Sequence, residues 1–568
     1  MEYVLKFDEH EEYQNYKDGP FYLGPNVSMC MDMIHTHISG EQQGEANYLT
    51  FTALENSTIR LNFFYNPSLM LEFQQFLDSI GIEYATSITK GWENYFSTGG
   101  TADAENTHIF HGKEITLQKG DVVKFRGQNN RLSDDSTYFF FSMTGSIDAS
   151  GDVTSLNNRI GGDISMPSYN FINLFQNCTA LKTAPSLPST NLNPYCYKNM
   201  FGGCTSLTKA PELPATTLAS NCYQGMFSAC TSLTTAPSLP STTLADYCYQ
   251  HMFSNCASLT TAPALPATTL AVGCYNSMFS LCRSLASAPA LQAASMTVSA
   301  YTSMFAGCAS LITAPSLPAT TLASYCYTYM FQNCTSLTTA PSLPSTTLAY
   351  RCYTSMFQGC TSLTTAPALP ATTLASRCYA SMFQGCTSLT TAPSLPATAM
   401  TEYCYAGMFQ DCTSLTAAPD LLATKLEKYC YSYMFMGCTA LTSPYHDSIY
   451  LPAETLKEGC YQYMFDETKV SSVSIDATSI NVFNCCRYMF YKVKSNLYIR
   501  IRFTSFYNSY GSLNTDYNCP TFCWIEGVYD TINYYDTIIN YLGNGTFDTS
   551  SFKTKTTSNI GFGSFTTG

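Results

Sequence analysis

The chain has 568 residues, 45% of them apolar and 12% charged, with a formal net charge of −13. That apolar share excludes a disordered chain, and the acidity argues against a nucleic-acid surface built from clustered Lys and Arg. No apolar run reaches the roughly 18 residues a membrane span needs.

Residues 1–45 read as an N-terminal docking segment. Met1 to Phe7 leads into Asp8, Glu9, Glu11 and Glu12. This start has no basic n-region and no apolar h-region, which predicts retention in the cytoplasm that made the chain. A short helix is expected around Glu9 to Lys17, followed by a loop with Pro20, Gly24 and Pro25. His35-Thr36-His37 would set two rings on one strand face. No acidic or cysteine partner follows at ligand spacing, so no metal site is expected there.

Residues 46–165 alternate as strands do, and predict a small β-sandwich-like domain. The runs are Leu49–Thr52, Ile59–Phe63, Ile115–Leu117, Val122–Arg126 and Phe139–Phe141, with a helix expected near Leu71–Ile80. Residues 1–169 carry 23 acidic and 10 basic side chains, whereas 170–440 carry 6 and 8. The acidity therefore belongs to the N-terminal part.

Residues 166–490 repeat. One unit runs from Leu337 to Ser362, and the next begins at Leu363. The Met-Phe pair recurs every 26 residues from Met200-Phe201 to Met434-Phe435. About thirteen such units predict a solenoid, because a unit this small buries its apolar face only by stacking on neighbours. Set at 100° per residue, Cys-Tyr-x-x-Met-Phe-x-x-Cys places its five constant residues in an arc of roughly 140°. A short helix or helical turn over Cys352–Cys360 is therefore expected, with a short strand over Thr361–Ala366, stopped by Pro367 and Pro370.

Twenty-three of the 26 cysteines lie between Cys178 and Cys486. One column steps from Cys178 to Cys438; a second runs from Cys196 to Cys430 and holds Ala300 in one unit. A site that accepts Ala is a packing site. Reduced, buried thiols are expected rather than disulfides, and the eight-residue step between columns lacks the tight pairs zinc needs.

Residues 491–568 read as a β-rich C-terminal cap and tail. Leu497–Phe503 alternates and suits a strand closing the stack, since open solenoid ends need covering.

Chemistry is sparse. There is no Gly-x-Ser-x-Gly elbow, no phosphate loop and no dinucleotide fingerprint, and the solenoid offers few carboxylates for glycosidase work. No enzyme, cofactor or metal is expected. Function is expected at the positions that vary between units. The residue before the first Cys of each unit and the one four further on form two exposed columns. Tyr247, His251, Tyr325, Tyr329, Arg351, Arg377, Tyr403, Tyr429 and Tyr433 are the candidate ligand-binding residues, because exposed Tyr and Arg are favoured at binding hot spots. The repeated Thr-Thr pairs, such as Thr338-Thr339, could match a regular surface, although Thr is also simply a good strand former.

Met-Phe-x-x-Cys-Thr-Ser-Leu-Thr resembles the BspA-like leucine-rich repeat of bacterial surface and adhesin proteins. The chain departs from that family in its 26-residue unit, its Ala-Pro-x-Leu-Pro insert, and a start without leader or lipid-attachment cysteine. The entry Asn26-Val27-Ser28-Met29-Cys30 and the β-module behind it resemble the front ends of phage virion proteins of gut anaerobes that carry such arrays. These resemblances imply a leucine-rich-repeat solenoid with no catalysis. They imply a virion tail or fibre component, assembled in the host cytoplasm, joining other virion proteins through its N-terminal module. The solenoid would meet a host surface glycan or protein, with no nucleic acid and no membrane insertion. A bacterial surface adhesin and a ligand-free spacer are the alternatives. A homo-oligomer stays open, with no heptad to specify one.

Overall fold

The computed structural model describes residues 47–65, 80–87, 91–96, 108–444, 448–477 and 484–493, and the backbone of 100–102 and 498–502. The expected helices at 9–17 and 71–80, and His35-Thr36-His37, lie outside the described residues, apart from the buried Ile80.

The first described part is two antiparallel sheets. One contains β1 (Leu49–Ala53), β3 (Ile82–Thr86), β4 (Glu93–Asn94), β8 (Val122–Gly127) and β10 (Ile147–Ser150), in the order β10-β1-β8-β3-β4. The other is built on β2 (Ser57–Phe64), which pairs β9 (Tyr138–Thr144) along one edge; along the other it pairs β6 (Ile109–Gly112) and β7 (Ile115–Leu117). β5 (Gly100–Ala102) extends β6. Alternation explains the packing: Leu49, Phe51 and Ala53 of β1 point inward, as do Ile59, Leu61 and Phe63 of β2. Phe51 and Phe141 meet across the sheets at 5.0 Å.

This part does not end where the repeats begin. β10 pairs in parallel with β11 (Leu181–Thr183), so hydrogen bonds cross the boundary drawn at residue 165. Phe141 stacks on Phe175 at 5.3 Å and 9°, as Phe175 stacks on Phe201 at 5.3 Å and 5°. Cys178 Sγ donates to Phe141 O, as Cys204 Sγ donates to Phe175 O. β9 thus supplies to the first repeat what each repeat supplies to the next.

The repeats stack as a solenoid, but the segment expected as a short helix or helical turn is not a helix. Over Cys352–Cys360 the N–H groups alternate in direction. Thr354, Met356, Gln358 and Cys360 bond three residues back, to Arg351, Tyr353, Ser355 and Phe357 carbonyls. Tyr353, Ser355, Phe357 and Gly359 bond into the next unit, to Cys378, Ala380, Met382 and Gln384 carbonyls. The result is a chain of overlapping tight turns, closed by a left-handed residue every fourth position: Arg351, Ser355 and Gly359 have φ of 54°, 51° and 72°. A left-handed residue with a Cβ costs about 1 kcal/mol, and a nine-residue helix alone is marginal in water. Bonds from the neighbouring unit decide the contest. The side chains then repeat by four: Cys352-Tyr353 in, Met356-Phe357 in, Cys360 in. The helical arc selects the same five residues, which is why it misleads.

The expected strand over Thr361–Ala366 is also corrected. Only Thr365 pairs, as a single parallel bridge to Thr339 on one side and Thr391 on the other. The two prolines within the Ala-Pro-x-Leu-Pro insert, here Pro367 and Pro370, keep longer ladders from forming. Thr338 Oγ1 reaches back to Ile312 O at 3.4 Å, and Thr416 Oγ1 to Thr390 O at 3.4 Å. These exposed hydroxyls tie unit to unit. Longer parallel strands return in β12 (Ile449–Leu451), β13 (Ser472–Asp476) and β14 (Tyr498–Arg502), which pair in that order.

The core is a set of columns. Phe rings from Phe175 to Phe490 stack at successive centroid distances of 5.3–5.8 Å. Beside them runs a buried Tyr column from Tyr197 to Tyr461. All 23 described cysteines are free and buried. Burial pushes the thiols of the two repeat columns up, to about 12 at Cys274 and Cys326.

The two cysteine columns differ in chemistry. In the column of Cys360 each thiol donates to the Phe carbonyl of the preceding unit, Cys360 Sγ to Phe331 O at 3.1 Å. Thr468, at this position, donates instead within its own unit, to Phe465 O at 2.7 Å. The column of Cys352 makes no such bond in the regular units, and there Ala300 is accepted at 0% exposure. Cys352→Ala is therefore expected to lose about 1 kcal/mol, and Cys360→Ala about 1 kcal/mol more, with Cys360→Ser recovering part of the difference. Urea unfolding of the three variants checks this; equal losses for the two Ala variants would show that the thiol bond contributes nothing.

Candidate functional site

Every candidate residue of the two variable columns sits at a left-handed position. The φ angles are 56° at Tyr247, 55° at His251, 61° at Tyr325, 57° at Tyr329, 54° at Arg351, 59° at Arg377, 54° at Tyr403, 53° at Tyr429 and 58° at Tyr433. The turn geometry aims them outward as the second residue of each outward pair. His251 is exposed and the others are half-buried; Tyr247, Arg377, Tyr403, Tyr429 and Tyr433 lean along the stack onto the same position of the next unit.

The structure joins some of them and separates others. Tyr325 meets Tyr350 edge-on at 5.3 Å and 87°. The Arg351 guanidinium carbon lies 5.9 Å from the Tyr325 ring centre and 5.6 Å from that of Tyr350. Arg377 lies over Tyr403 at 4.1 Å, and Tyr403 stacks on Tyr429 at 4.8 Å and 13°. Five successive units thus carry one outward ridge in two contact groups, Tyr325 with Arg351 and Arg377 with Tyr403 and Tyr429. Tyr429 lies flat over Gly459, where an added Cβ would come within 2.2 Å of the ring. In the second column Tyr433 stacks on Tyr463 at 5.1 Å, and Tyr463 meets Tyr488 at 5.0 Å. Tyr247 and His251 stand apart, since Gly273 and Ser277 follow them in their columns. Tyr329 likewise has Ser303 and Ser355 beside it.

Sequence reasoning missed Tyr350, the Glu458–Lys428 pair and one further tyrosine stack. Tyr350, one residue before the column, is 38% exposed and walls the ridge. Glu458 accepts from Tyr429 OH at 2.9 Å and pairs with Lys428 at 2.9 Å. The bond to Glu458 pushes the Tyr429 phenol up to about 12, and Lys428 and then Tyr429 hold the Glu458 carboxyl below its usual range. Tyr169 and Tyr195 form a further outward stack at 4.7 Å and 5°. An exposed Tyr at 26-residue spacing from its neighbour was the available signal.

Stacked rings cover each other's faces, so the ridge offers ring edges, hydroxyls and guanidinium forks. That set makes hydrogen bonds and charge-assisted contacts. Among the described residues no group of three or more His, Cys, Asp or Glu could hold a metal, and no helix is long and apolar enough to cross a membrane.

A family model described as BspA type leucine rich repeat region matches in six copies, over residues 172–286, 249–390 and 346–448. No curated protein matches the chain. No solved structure matches it. The matched span, residues 172–448, is the part of the chain whose Leu, Phe and Cys columns fill the core.

Proposed function

We propose that the chain is a non-enzymatic binding protein that engages a surface glycan or protein through the ridge Tyr325–Arg351–Arg377–Tyr403–Tyr429. The observation that carries this reading is the ridge itself. Bulky Tyr and Arg occupy left-handed positions that other units fill with Gly, Asn or Ser, each at about 1 kcal/mol above the glycine alternative. A rigid stack beneath holds them in register. Binding needs no metal or cofactor. In this reading about thirteen units form the rod, the β-module closes one end, and β12 to β14 lead into a cap at the other.

The test uses the full chain with Tyr325, Arg351, Arg377 and Tyr403 changed together to Ala. Capture on a glycan array and on intact bacterial cells is expected to fall at least tenfold, or about 1.4 kcal/mol, with unchanged circular dichroism. Unaltered capture would remove the ridge from consideration.

The finer reading is a virion tail or fibre component that joins other virion proteins through residues 1–45 and faces the host with the solenoid. The BspA-type repeats favour a second reading, a bacterial surface adhesin. Proteomics of purified phage particles beside surface-shaved cells separates them. Peptides in the particle fraction support the virion reading, and peptides only on cells transfer the role to the adhesin.

A further inference from the structure

Between Arg283 and Glu402 the sequence has two charged residues, and both are on the ridge: Arg351 and Arg377. They occupy the same position in consecutive units, whose Phe357 and Phe383 rings stack at 5.7 Å. Two cations therefore stand on neighbouring units within a long uncharged stretch of the sequence, Arg351 beside Tyr325 and Tyr350 and Arg377 over Tyr403. Neither guanidinium has an ion pair or a side-chain hydrogen bond among the described residues, and Arg351 Nε is buried without a partner. The tyrosine contacts fix where the guanidiniums lie. They use the π face of each ring and leave the N–H donors unspent. The acid nearest in sequence, Glu402, lies one unit on and forms no ion pair with Arg377 among the described residues.

Like charges on adjacent units repel, and no ion pair among the described residues relieves either of them. An anion placed between the two forks would relieve both at once. Tyr325 and Tyr350 wall one end of the pair and Tyr403 the other.

From this geometry we infer that Arg351 and Arg377 form an anion subsite for an acidic polysaccharide, taking a uronate carboxylate or a sulfate ester in both guanidinium forks. The inference rests on the ridge reading above and names its ligand class. A polysaccharide fits better than a membrane. The ridge is a single narrow column along the rod with hydroxyls at its edge, and two charges do not make the broad basic face that a lipid surface needs.

The experiment immobilises polygalacturonate, dextran sulfate and neutral dextran, with phosphatidylglycerol vesicles as a fourth surface, and measures full-chain binding by interferometry. Wild type is expected to bind one or both acidic polymers and not dextran, and to weaken as NaCl rises from about 50 to about 300 mM. R351Q/R377Q is expected to bind roughly tenfold more weakly or worse, and R351K/R377K to lie between, because Lys lacks the planar fork. Equal binding to dextran, binding to vesicles alone, no binding to either acidic polymer, or an unchanged R351Q/R377Q variant would each overturn the inference. Y325A/Y403A separates the two levels. Loss in that variant with an unchanged R351Q/R377Q leaves the ridge and removes the anion subsite, and no change in either removes both.

Discussion

Phe357→Ala is expected to lower the stability of the units around it by about 3–5 kcal/mol. The Phe357 ring is 0% exposed and lies between Phe331 and Phe383, each at 5.7 Å and within 6° of parallel. Removing it opens a cavity that neither neighbour can fill, because both are held by their own stacks and by cross-unit hydrogen bonds. A solenoid is stabilised mainly by adjacent units, so the loss should stay local. Hydrogen exchange should rise in residues 331–383 while the β-module keeps its protection, and urea unfolding should divide into two transitions. A uniform rise along the chain would show that the stack melts as one unit, against this account. Tyr327→Phe is the control. Its buried hydroxyl has no partner among the described residues, so its removal should be neutral or stabilise by up to about 1 kcal/mol.

Phe141→Ala is the second large effect, again about 3–5 kcal/mol, and it should fall on two regions at once. Phe141 lies 5.0 Å from Phe51, 5.3 Å from Phe125 and 5.3 Å from Phe175. Its N–H donates to Leu174 O at 2.8 Å, and its carbonyl accepts the Cys178 thiol at 3.1 Å. It is a residue of the sandwich in the place a repeat phenylalanine would take. Exchange should therefore rise both in residues 49–53 and in 171–204, and the apolar end of the stack should bind ANS. If the sandwich alone loosens while 171–204 keeps wild-type protection, the first repeat does not depend on β9 and the continuity carries no energy.

The period and the identity of the buried columns were legible in the sequence. Leu, Phe, Tyr, Met and Cys recur at fixed positions because each must meet its copy in the next unit. The nine-residue segment between the cysteines was misread, because periods of 3.6 and of four select the same five inward residues over so short a span. A better signal was present. The residue before the second Cys is Asn333, Gly359, Gly385, Asp411 and Gly437 in successive units, the residue types that tolerate positive φ. Gly359, with φ of 72°, has Asn333 Oδ1 where its Cβ would lie.

Of the candidate site, the sequence supplied the two exposed columns, since variable positions beside constant ones mark the outward face under either turn geometry. It could not say that Arg377, Tyr403 and Tyr429 make one continuous ridge while Tyr247, His251 and Tyr329 stand apart. That depends on which residue stands one unit away and how far each side chain leans. The sequence by itself determined a stacked repeat with a uniform core, because burial of a small unit demands identical neighbours. The tertiary structure alone decided three things: tight turns over helix, single bridges over strands, and a sandwich continuous with the solenoid. In each case the deciding hydrogen bonds and ring contacts join residues 25 or more positions apart, where local pattern carries no information.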